Sequence, residues 1–89
     1  MELANAGDVS AQLLLGLAYE FGLGVPQDYV EAHKWFNIAA SLADEDGDEE
    51  GRKTFAENRD GVAEDMTPQQ IAEAQKLARE WLTEFEQRN

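Results

Sequence analysis

Residues 11–40, AQLLLGLAYEFGLGVPQDYVEAHKWFNIAA, decide the reading of this chain, because two helical patterns meet there across a glycine-punctuated turn. Asp8 is placed to cap a first helix over about residues 9–21, its carboxylate accepting from amides that lack a helical partner. Gly22 ends that helix by permitting left-handed backbone. Wound at 100° per residue, Leu13, Leu14, Leu15, Leu17, Ala18, Tyr19 and Phe21 cover more than half of the circumference rather than one stripe. A helix of this kind needs neighbours on two sides.

In the turn Gly22-Leu23-Gly24-Val25-Pro26-Gln27 two glycines supply special backbone angles, while Val25 and Pro26 keep the chain extended before it re-enters a helix over about residues 28–43. Asp28 and Glu31 form an Asp-x-x-Glu arrangement like a capping box, and Tyr29, Ala32, Trp35, Phe36, Ala39, Ala40 and Ala43 follow at helical spacing. Small residues alternate with large aromatic ones, which suits an antiparallel helical hairpin: Gly16 and the alanines let the backbones approach, and the rings fill the remaining space.

Beyond the hairpin, residues 44–50 hold six carboxylates in seven positions and read as a solvated acidic loop. A third helix is expected over about 49–65, with Phe55, Ala56, Val62, Ala63 and Met66 as buried candidates and Gly61 marking a break. Thr67-Pro68-Gln69-Gln70 is a strong helix start, combining an N-cap, proline at the first helical position and a capping-box glutamine. The last helix should run over about 68–87 and turn one stripe inward, made of Ile71, Ala74, Leu77, Ala78, Trp81, Leu82 and Phe85. The expected fold is therefore all-α, in one domain.

Leu15-Gly16, Tyr19, Gly22, Gly24-Val25, Asp28, Ala32, Trp35-Phe36 and Ala39-Ala40 resemble, in order and spacing, the Sel-one-like repeat, a relative of the tetratricopeptide repeat. Residues 58–81 are similar to the helical pair that follows the last repeat in many bacterial proteins of that family. The resemblance implies a short α-solenoid fragment, with the repeat at 11–43, the acidic loop at 44–50 and a C-terminal helical cap at 51–89. It also implies a job, holding other proteins. Ala4, Ala6-Gly7-Asp8 and Ala11-Gln12 look like the junction that closes a previous repeat. Solenoids usually stack about three units to bury a continuous core. With one full repeat, the chain is either the end of a longer array or a minimal protein whose open side is covered by something else.

Composition narrows the function. Nineteen acids against seven bases give a formal net charge of −12, which disfavours direct binding to nucleic acid or to an anionic membrane and favours a partner with a basic surface. The 43% hydrophobic content, with Trp35, Trp81 and four phenylalanines, separates the chain from disordered acidic sequences. Cysteine is absent, so disulfides and thiolate zinc sites are excluded. The N-terminal residues lack a basic segment followed by an apolar run, and no stretch reaches about 18 apolar residues, so neither a signal peptide nor a membrane span is read. The cytoplasm is the default compartment, although a piece of a longer secreted or periplasmic protein would read the same way.

Chemistry finds little purchase. Asp44, Asp46 and Asp48 alternate like the opening of a calcium loop, but Glu49 and Phe55 stand where that loop needs glycine and a bidentate glutamate. His33, at the margin of the apolar stripe, has no second histidine to complete a metal set and no nucleophile beside it in sequence. Ser10, Ser41, Thr54, Thr67 and Thr83 read as caps and surface positions, and the aromatic residues read as core. No catalytic residue, cofactor or metal is expected. The leading reading is an adaptor that binds a peptide or partner protein through the first helix, with Gln12, Leu13, Leu14, Leu17 and Glu20 as contact candidates. A homodimer through the same helix is expected to cover its surplus apolar face. The alternative is an acidic inhibitor whose carboxylates imitate a nucleic-acid backbone in a partner's basic groove.

Overall fold

The structure, a computed structural model, describes residues 2–88. Every element among them is helical: α1 (Glu2–Asn5), α2 (Val9–Phe21), α3 (Tyr29–Glu45), α4 (Glu49–Ala63) and α5 (Pro68–Arg88). The all-α expectation holds, and α3 is the hub, with α2, α4 and α5 each packed against it.

Local signals set the boundaries. Asp8 Oδ1 accepts from the Ala11 amide at 3.0 Å to start α2, and Asp28 Oδ1 accepts from the Glu31 amide at 3.2 Å to start α3. The box at Asp28 is one-sided, because Glu31 turns to the Lys34 ammonium 3.0 Å away. At α5 the box is complete: the Gln70 amide donates to Thr67 Oγ1 at 3.1 Å, and the Thr67 amide donates to Gln70 Oε1 at 2.8 Å. Gly22 and Gly24 both take positive φ, +67° and +79°, as the turn demands.

The hairpin is antiparallel, as its contacts show. Val9 and Leu13 meet the cluster of Ala39, Ala40 and Ala43, whereas Leu13, Leu17 and Tyr19 meet that of Ala32 and Phe36. Gly16 provides the close approach: a Cβ at that position would lie 2.5 Å from Cε1 of the fully buried Phe36 ring. On another side of α3, Trp35, Ile38 and Leu42 pack with Ala78 of α5, and Trp35 meets Trp81 edge-on at a centroid distance of 5.7 Å. Trp81 in turn stacks on Phe85 at 5.0 Å. Phe55 and Val62 of α4 complete the interior, in the clusters of Ala39 and Phe36 respectively.

Three local expectations need correction. Residues 44–50 are mostly helical: Asp44 and Glu45 close α3, Glu49 and Glu50 open α4, and only residues 46–48 lie between. Asp48 caps α4 by accepting from the Gly51 amide at 2.9 Å, and acids in the first turn are favoured by the helix dipole, so this carboxylate density starts a helix instead of preventing one. Gly61 does not break α4, which continues to Ala63; the helix cost of one glycine is about 1 kcal/mol, less than the packing of the neighbouring Val62 returns. His33 lies inside rather than at a margin, at 2% exposure, because α4 covers that side of α3.

Candidate protein-interaction surface

The short helix α1 folds back over α2 through Gly7, whose φ is +93° and whose missing Cβ makes room for the Phe85 ring. Ala4 is buried by this return, and its carbonyl accepts both from the Gln12 side-chain Nε2 at 2.9 Å and from the Gly7 backbone amide at 3.2 Å. The end of α5 fastens the same turn. Trp81 Nε1 donates to Asn5 Oδ1 at 3.0 Å, and the Arg88 guanidinium donates to the Asn5 carbonyl at 3.2 Å. Asn5 thus ties the beginning of the described chain to its end, and the C-terminal helix fixes where α1 stands.

Between α1 and α2 lies a shallow, mostly apolar groove of about 570 Å³ lined by Glu2, Leu3, Ala4, Ala11, Leu14, Leu15 and Ala18. Ala11, Leu14, Leu15 and Ala18 stand at i, i+3, i+4 and i+7, one stripe of α2. Phe21, seven residues beyond Leu14, prolongs it with a drift of about 20°. Leu3, Leu14 and Phe21 are 64%, 67% and 62% exposed. Contiguous apolar patches left open on a folded chain mark interaction sites.

The structure separates the candidates that the sequence grouped. Leu14 alone lines the groove. Leu13 and Leu17 face the other way and are half-buried against the clusters of Ala39 and Phe36. Gln12 is fully buried and is a strut beneath α1, not an edge contact. Glu20 lies on a different side of α2, where burial, and then the Asp65 carboxylate, raises its pKa. The repeat-signature residues are structural: Ala32, Trp35, Ala39 and Ala40 are buried in α3, Gly16 receives Phe36, and the Tyr19 carbonyl accepts from the Asp28 amide at 2.9 Å to close the turn. Burial, with the Glu31 and Asp28 carboxylates, raises the pKa of the Tyr19 hydroxyl.

Sequence reasoning missed Leu3 and Asn5. The 33 residues before Lys34 contain no lysine or arginine, while Glu2, Asp8, Glu20, Asp28 and Glu31 supply five acids, a pattern that singles out neither residue. Of these acids Glu2 lines the α1–α2 groove, whose described lining holds no base.

The concavity between α3 and α4 has a different character. Ser41, Asp44, Glu49, Arg52 and Arg59 line it, and its guanidiniums are engaged within the chain. Arg52 sits 3.5 Å from Glu49 and 3.8 Å from Asp44, and Arg59 is held by Asn37 and Asp60. His33 lies near this side, its pKa lowered by burial first and by Arg59 second, with Asp60 opposing. No group of three or more histidine, aspartate or glutamate side chains suited to a metal ion occurs among the described residues. No described helix is long and apolar enough to cross a membrane.

Comparison with known proteins gives a match to the family model of the Sel1 repeat over residues 9–44. No curated protein and no solved structure matches the chain. Sel1 repeats are generally protein–protein interaction modules. The matched residues span α2, the glycine turn and nearly all of α3, so the helical hairpin at the heart of this chain is the part that is similar to a Sel1 repeat.

Proposed function

We propose that this chain is a non-catalytic adaptor that holds a partner protein on the outer side of α2, in the groove walled by α1. The observation that carries this reading is the exposure of Leu3, Leu14 and Phe21 along one side of a repeat whose other sides are packed. The similarity of the hairpin to a family of interaction modules supports the same conclusion. A photo-crosslinking residue at position 14 in the native cell should capture a partner that the same residue at the exposed Thr83 does not. Equal or absent capture at both positions would remove the reading.

A competing reading draws on the exposed carboxylates at 44–50, which would imitate a phosphate backbone for a basic protein. The two separate by salt. Mimicry predicts binding that collapses steeply between low and moderate salt, whereas docking on the leucine stripe retains a salt-tolerant part.

A further inference from the structure

The occupant of the α1–α2 groove is constrained by its shape and its charge. We infer that the groove takes a basic amphipathic helix of a partner protein, laid along α2 with its apolar face on Leu14 and Leu3 and its cationic residues toward Glu2. This rests on the adaptor reading and specifies what the adaptor holds.

Shape gives the helix. The stripe from Ala11 to Phe21 rises about 15 Å, close to three helical turns, at 1.5 Å per residue. Alanines at 11 and 18 flank the leucines at 14 and 15, so hollows alternate with ridges along the groove. That relief is what the i, i+3, i+4 and i+7 side chains of another helix pack into. The wall is firm enough to receive them, since Ala4 is buried, Gln12 props α1 from below and Asn5 is tied to Trp81 and Arg88.

Charge decides between a foreign helix and a second copy of this chain. The groove lining holds one acid, Glu2, and no lysine or arginine, and the whole chain has a net charge of −12. A two-fold pairing through α2 would bring together two copies that each carry a net charge of −12, with no lysine or arginine in the groove lining to offset it. A basic helix meets the same groove with complementary charge around an apolar centre, which accelerates encounter and sets the polarity of docking.

The probe is a synthetic Leu/Lys peptide of about 18 residues, long enough to form a helix on binding, with leucine at i, i+3, i+4 and i+7. Its partner probe replaces every lysine with glutamate. Fluorescence anisotropy of the labelled peptides against the whole chain should show saturable binding of the basic peptide and affinity at least about tenfold lower for the acidic one. Leu14→Glu should weaken the basic peptide by about tenfold or more. Because that change adds a negative charge, a purely electrostatic attachment would instead be strengthened. Asn5→Ala, which removes the bond from Trp81 to α1 and leaves the one from Arg88 to the residue 5 carbonyl, should also weaken binding while circular dichroism shows the helices retained.

No saturation up to about 1 mM, equal affinity for the two peptides, or indifference to Leu14→Glu would overturn the inference. So would a dimer in sedimentation equilibrium that Leu14→Glu dissolves, because the occupant would then be a second copy. A partner crosslinked at position 14 through a segment that is not a basic helix would leave the adaptor reading intact and sink this one.

Discussion

Gly16→Ala and Gly61→Ala are the same substitution in two helices, and the structure gives them opposite signs. Both remove a helical glycine, which by propensity alone stabilises by about 1 kcal/mol. At Gly61 the added Cβ meets nothing within 4 Å, so that gain should be realised in full. At Gly16 the Cβ would stand 2.5 Å from Cε1 and 2.8 Å from Cδ1 of Phe36, about 1 Å short of an ordinary carbon contact near 3.5 Å. The ring cannot retreat, because Phe36 is fully buried among Ala32, Val62, Leu13, Leu17 and Tyr19. Overpacking of this kind costs about 1–3 kcal/mol, so the net effect at Gly16 should be a loss of about 1 kcal/mol. The two variants should then differ by about 2 kcal/mol, on the order of 10 °C in melting temperature for a domain of this size. Urea denaturation followed by circular dichroism and tryptophan fluorescence measures the gap directly. A Gly16→Ala protein as stable as Gly61→Ala would refute the claim that the α2–α3 approach depends on the absence of a side chain at residue 16.

Further outcomes follow from the caps and the titrating groups. Asp28→Ala should cost about 1 kcal/mol through loss of the bond to the Glu31 amide, while Asp28→Asn, which keeps an acceptor, should stay close to the parent in the same denaturation assay. Glu20 has its pKa raised by burial and by Asp65, so its ionised form opposes folding; Glu20→Gln should raise the melting temperature at neutral pH, with the advantage fading as pH falls and the parent carboxyl takes up its proton. His33 is the reverse case in sign. Its pKa is depressed below 6.5, so the buried neutral ring favours folding most above that value, and the parent should lose stability relative to His33→Gln as pH drops below 6.5. Parallel pH profiles for these two proteins would mean that His33 stays solvated in solution.

Residue periodicity and turn chemistry determined the helices of this protein. The caps at Asp8, Asp28 and Thr67, the glycines at 22 and 24 and the proline at 68 act over three or four residues, so they were legible in order along the chain. That Gly16 serves a close approach within the hairpin was legible too, although the sequence pointed to the facing backbone and it is the Phe36 ring that enters. What tertiary structure alone decided is which faces stay open. Leu13, Leu14 and Leu17 look equivalent in sequence, yet α3 and α4 cover the first and third and leave the second. Gln12 looks like a surface polar residue until α1 folds over it. The acids at 44–50 look like a repelling loop until Asp48 caps a helix. Burial depends on contacts between residues distant in the chain, such as those of Asn5 with Trp81 and Arg88, and neither periodicity nor capping carries information about such pairs.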